Sequence, residues 1–176
     1  MPCLSNALQT SAAVALMTGF GLAGFAPATA DPAANTGNAS DVNTLAAALS
    51  KGYGLNNCTA QSISGNQLAA LTCGQNPDPG GPVQAKYYLF SNTDAMNAFF
   101  TTNIKDDVLT SCGTNSTRSP SPWHQGSATN TGQMACGTYQ NAAEIIWTND
   151  AKHVLSYIRG SNTDAASLYQ WWQANG

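Results

Sequence analysis

Few side chains in this 176-residue sequence can do chemistry: two histidines, His124 and His153, nine acidic residues of which Glu144 is the only glutamate, six basic residues and five cysteines. Hydrolysis needs a histidine held between a nucleophile and a carboxylate, a pair of carboxylates, or a metal set. The spacing supplies none of these: G-x-S-x-G, H-E-x-x-H, a glycine-rich phosphate loop and a calcium loop are all missing. His124 follows Trp123 in a polar stretch broken by Pro120 and Pro122, the kind of loop where binding residues concentrate. His153 opens a strand-like run, where a cross-strand contact accounts for it. Asp106 and Asp107 read as a solvated pair near a helix end, and Asp94 and Asp164 as helix starters. We therefore assign no catalytic residue and take Trp123 and His124 as candidate ligand contacts. A small hydrolase using His124 or His153 is the alternative.

Tryptophan is the other resource, because its ring packs on apolar and sugar surfaces while its N–H remains a polar handle. Trp147 reads as core. Trp171 and Trp172 are neighbours about 100° apart on a helix, so at most one is expected to face fully inward with Leu168. Trp123 divides between an anchor for its loop and a ligand contact.

Four cysteines, Cys58, Cys73, Cys112 and Cys136, follow a fifth, Cys3, that stands apart near the start. There is no C-x-x-C, and neither histidine lies at ligand spacing from a cysteine, so no metal site and no cofactor is expected. An even cysteine count in an exported chain reads as a disulfide framework, with three possible connectivities. Local pairing, Cys58 with Cys73 and Cys112 with Cys136, is the simplest of them. Each such loop stabilises the fold by about 3 kcal/mol on the chain-entropy view.

Export itself is read from the first thirty residues. Ala12 to Ala26 is uncharged and apolar, shorter than the ~20 residues a membrane helix needs, and is followed by Ala28-Thr29-Ala30, an A-x-A site. Residues 1–30 are expected to be a signal peptide, although its first ten residues carry no lysine or arginine. The remainder is not expected to stay inserted in a membrane. With 9% charged residues, a net charge of −3 and a pI near 4.9, the chain offers no basic surface, which excludes nucleic acid as a partner.

These residues must be positioned by a small set of elements. Residues 31–40 have little to bury and read as a flexible lead-in. Leu45 and Leu49 with Asp41 as cap and Gly52 as stop predict a short helix. Runs 67–73 and 82–90 flank the turn sequence NPDPGGP, which predicts a hairpin. Met96, Phe99, Phe100 and Ile104 recur at helical spacing after Ser91-Asn92-Thr93-Asp94, and SNTDA recurs at 161–165 before a last amphipathic segment. Residues 112–132 read as a long loop. A second hairpin follows, 143–148 returning through 153–159. The expected fold is one α+β domain over 41–176, an antiparallel sheet of four to five strands with two to three helices packed on one face and two disulfides.

Several short motifs occur together: LTCG at 71–74, a GGP turn, YYLF at 87–90, SPW at 121–123, ACG at 135–137, IIWTND at 145–150 and LYQWW at 168–172. This order resembles the two-disulfide extracytoplasmic module at the C-terminal end of actinobacterial, especially mycobacterial, serine/threonine protein kinases, and of related stand-alone secreted proteins. The resemblance covers residues 49–176. It implies a sensor-like domain outside the cell, binding an envelope or extracellular ligand. The chain has no kinase catalytic loop, so kinase activity is not implied. The expectation is a secreted, non-enzymatic binding protein, with the small hydrolase or a structural or antigenic surface protein as alternatives.

Overall fold

The computed structural model describes residues 34–113, 118–128 and 130–176, so the expected signal peptide lies outside the described residues. Among those residues are three α-helices, α1 (Ala39–Ala46), α2 (Thr93–Asn103) and α3 (Ala165–Asn175). Eight strands accompany them: β1 (Cys58–Ala60), β2 (Gln67–Cys73), β3 (Gln84–Phe90), β4 (Val108–Thr110), β5 (Ser121–Trp123), β6 (Gly132–Tyr139), β7 (Ala142–Asn149) and β8 (Val154–Arg159). They form one antiparallel sheet in the order β1-β2-β3-β8-β7-β6-β4, with β5 also pairing with β6.

The α+β class, both predicted hairpins and both disulfides are present. The sheet is larger than the four to five strands expected. β6, of sequence GQMACGTY, has a single β-branched residue, Thr138, and β1, β4 and β5 are three-residue edge strands. Cys58 stands directly opposite Cys73 in the β1–β2 register, with Cα atoms 4.0 Å apart, and Cys112 bonds to Cys136 of β6 at 5.3 Å. The pairing is the local one.

The centre of the sheet explains the layering. In β7, Ala143, Ile145 and Trp147 alternate with Glu144, Ile146 and Thr148, and every residue from Ala142 to Thr148 is buried. Both faces therefore need a cover. Leu45 of α1 and Leu168, Trp171 and Trp172 of α3 pack with Leu71, Tyr87, Ile145 and Ile158 on one face. Met96 and Phe100 of α2 pack with Phe90, Ala135, Ile146 and Leu155 on the other. The helices thus lie on both faces rather than one, because Ile146 and Leu155 give the second face an apolar patch of its own.

The helix starts differ from expectation in detail. Asn38, not Asp41, caps α1 by accepting from the Asp41 N–H, and α1 ends at Ala46. The repeated SNTD tetrapeptide is used in two frames: Asn92 caps α2, whereas Asp164 caps α3. In the second copy the Asn162 carbonyl accepts from Ala143 N–H at the start of β7 and its side chain accepts from Asp164 N–H. That turn delays the helix by two residues. Part of the segment expected as a lead-in is held against the sheet: the Asn35 carbonyl accepts from Ile63 N–H at 2.8 Å, and Gly37, at φ +86°, leaves no room for a Cβ against the Leu68 carbonyl.

The capping assignment is testable by urea unfolding. Asn92→Ala is expected to cost about 1 kcal/mol, while Thr93→Ala, the hydroxyl neighbour that does not cap, stays within about 0.5 kcal/mol of the parent chain.

Candidate functional site

Two concavities flank the central strands, one on each face of the sheet. The first contains the residues singled out from sequence. Part of the expected long loop folds as β5, which pairs Trp123 with Gly132 of β6. Gly132 has no room for a Cβ against the Thr148 carbonyl, and that same carbonyl accepts from Trp123 Nε1 at 2.8 Å. The indole of Trp123 is thereby fixed in orientation. Trp172 stands edge-on between Trp123, with centroids 5.3 Å apart, and Trp147, at 5.9 Å, and Tyr169 stacks on it at an interplanar angle of 18°. A cleft of about 590 Å³ opens beside these rings, lined by Trp123, His124, Gln125, Tyr169, Trp172 and Gln173 among others. Among the described residues, no Asp, Glu, Lys or Arg lines it.

Trp123 and His124 therefore do share a cleft. Trp147 is core, as expected, but both members of the Trp171–Trp172 pair are buried, at 7% and 8% exposure, rather than one. Trp171 is accommodated because its Nε1 donates to Asp78 Oδ2 at 3.0 Å, in the loop of the first hairpin. His153 is not the first residue of a strand. It sits in the β7–β8 turn at φ +53°, and its carbonyl accepts from Phe90 N–H. The structure does not bring the two histidines to one site: His124 lines the cleft, and His153 lies in that turn.

The second concavity, of about 510 Å³, lies on the α2 face. Its floor is set by register. Gln84, Arg159, Glu144 and Gly137 form one row across β3, β8, β7 and β6, and Lys86, Tyr157, Ile146 and Ala135 form the next. Glu144, its side chain only 4% exposed, pairs with Arg159 Nη1 and accepts from the Tyr157 hydroxyl at 2.5 Å on the same oxygen. Arg159 Nη2 donates to the carbonyls of Tyr139 and Gln140 at 3.1 and 3.3 Å. That turn uses left-handed backbone at Gln140 and Asn141. Lys86 Nζ lies 5.4 Å from the centroid of the Tyr157 ring. The chain leaving α2, a 3-10 turn over Ile104–Asp106 and then Asp107, supplies the acidic rim.

Burial decides the ionisation here. It pushes the Asp107 carboxyl up to about 6, helped by the charges of Glu144 and Asp106 and opposed by Arg159. Burial also raises Glu144, against the hydrogen bond from Tyr157 and the pull of Arg159 and Lys86, and raises the Tyr157 phenol, with Glu144 adding to it. Sequence reading passed over this cluster: Glu144 looked like a mid-strand residue without a task, and Asp107 like one of a solvated pair. The available signal was the second hairpin, whose turn places Asn149 opposite Val154 and hence Glu144 opposite Arg159.

A carboxyl raised from 3.8 to about 6 binds more protons folded than unfolded, so its contribution lowers stability as pH rises through that window. Asp107→Asn is expected to stabilise the fold at pH 7.5 by about 1 kcal/mol, solvent screening of a half-exposed group allowed for. In thermal unfolding followed against pH, that gain should vanish near pH 4. No family model, curated protein or solved structure matches the chain.

Proposed function

We propose that this chain is an exported, non-enzymatic binding module of the kind found outside actinobacterial kinases, and that its ligand surface is the Trp123 cleft. Two disulfides within one small domain suit an oxidising compartment. Among the described residues, no helix is long and apolar enough to cross a membrane. The observation that carries the reading is the make-up of the cleft: aromatic rings and glutamine amides, with no Asp, Glu, Lys or Arg side chain among its described lining residues. Such a surface matches an uncharged, hydroxylated ligand, a saccharide, whose C–H faces pack on a ring while its hydroxyls meet amide donors and acceptors. Trp123 is held by Thr148 before any ligand arrives, so little ordering is required on binding.

Titration of soluble gluco-, galacto- and N-acetylglucosamine oligosaccharides, followed by tryptophan fluorescence, tests this. At least one series should bind, Trp123→Ala should weaken it by about tenfold, equal to 1.4 kcal/mol, and Trp123→Phe should keep most of the affinity. The oligosaccharide should be recovered uncleaved. Binding that is indifferent to Trp123→Ala, or cleavage of the sugar, contradicts the proposal.

A further inference from the structure

The groove on the α2 face has its own chemistry, of a kind the Trp123 cleft does not share. Its most buried charges are satisfied within the fold: Glu144 is held by Arg159 and Tyr157, and the other arm of Arg159 is held by two turn carbonyls. The Glu144–Arg159 contact is the one salt bridge among the described residues. Lys86 at one end of the groove and Asp106 and Asp107 at the other are therefore charges without an ion-pair partner.

Their separation follows from the sheet. Lys86 is on β3, whereas Asp107 lies over β6, its Cβ 3.4 Å from where a Cβ on Gly137 would sit. β3, β8, β7 and β6 are consecutive, so the two ends are three strand spacings, about 14 Å, apart. Over that distance in a wet groove the opposite charges do little for each other. The lysine stem narrows the gap to what two or three extended residues span, roughly 7 to 11 Å. Between the ends lie Tyr157 and Ile146 as floor and the polar side chains of Thr102 and Asn103 as wall. The volume, about 510 Å³, falls in the usual range for small-ligand sites.

We propose that this groove is a second ligand site, taking a short zwitterionic peptide with its ammonium end at Asp106 and Asp107 and its carboxylate end at Lys86. A ligand of this polarity neutralises the charges the fold leaves without an ion-pair partner, and the Glu144–Arg159 pair, whose own charges also act on Lys86 and Asp107, is held on the floor by its internal contacts. Asp107 faces Asp106 on its own segment, Glu144 on β7 and Arg159 on β8, with Lys86 on β3 beyond and the phenol rings of Tyr139 and Tyr157 beside them. Because its carboxyl titrates at about 6, the ammonium end is held better at pH 7.5 than at pH 5.

The test is NMR titration of the 15N-labelled protein with the tripeptides Ala-Ala-Ala and Ala-Tyr-Ala, free and with acetylated or amidated ends. The free peptides should shift the amides of Lys86, Asp107 and Tyr157 and leave Trp123 undisturbed, and each end cap should weaken binding about tenfold. Lys86→Gln should abolish the penalty of amidation, and Asp106→Asn combined with Asp107→Asn that of acetylation. Trp123→Ala should leave peptide binding intact, which separates this site from the saccharide cleft. Absence of shifts in the groove with both free peptides, or equal binding of free and capped forms, overturns the proposal.

Discussion

Burial of β7 on both faces is the constraint on which the rest of the structure depends. Ala142 to Thr148 are all buried, so the strand cannot sit at an edge or present one side to water. Covering one face takes α1 and α3, and covering the other takes α2. The strand also carries two polar side chains into that interior, and a buried polar group without a partner is expensive. Thr148 accepts from Gln133 N–H and donates to Asp150, and Glu144 takes Arg159 and Tyr157 from β8. The neighbours of β7 are thus chosen by polar satisfaction as well as by packing.

The same constraint separates the two surfaces by chemistry. Residues at odd positions of β7 point to α3, where Trp147, Trp172 and the Trp123 indole meet, and the cleft beside them is rich in aromatic rings and lined by no Asp, Glu, Lys or Arg side chain among the described residues. Even positions point to the α2 face, where Glu144 heads a row of polar residues and the cavity is lined by charge. One sheet thereby presents two concavities of different character from a chain with few charges to distribute.

Much of the scaffold was legible because its signals are local. NPDPGGP and NDAK are turns whose flanking runs alternate, and nearby cysteines in each half pair within that half. The layering was not. Ala143, Ile145 and Trp147 face one core while Ile146, between the polar Glu144 and Thr148, belongs to the other, and that single apolar residue is a weak signal of a second core in the sequence. β6 was hidden by its glycines, which leave room for the carbonyls of Thr148 and Val108 on its two sides, and β5 by its proline, which argues against a strand until an edge position is known. The two frames of SNTD depend on Asn162 meeting Ala143, a contact between segments far apart in sequence. Trp123 and His124 line one cleft because adjacent residues in a proline-stiffened loop stay close, whereas Asp107, Lys86 and Tyr157 come to share a groove only through strand order.

Hydrogen exchange resolved by residue tests the dependence on β7 most directly. The amides of Ile145, Ile146 and Trp147 should exchange only through global unfolding, with an opening free energy equal to that from denaturant titration. Exchange at these three sites faster than in α1 or the β1 edge would contradict it.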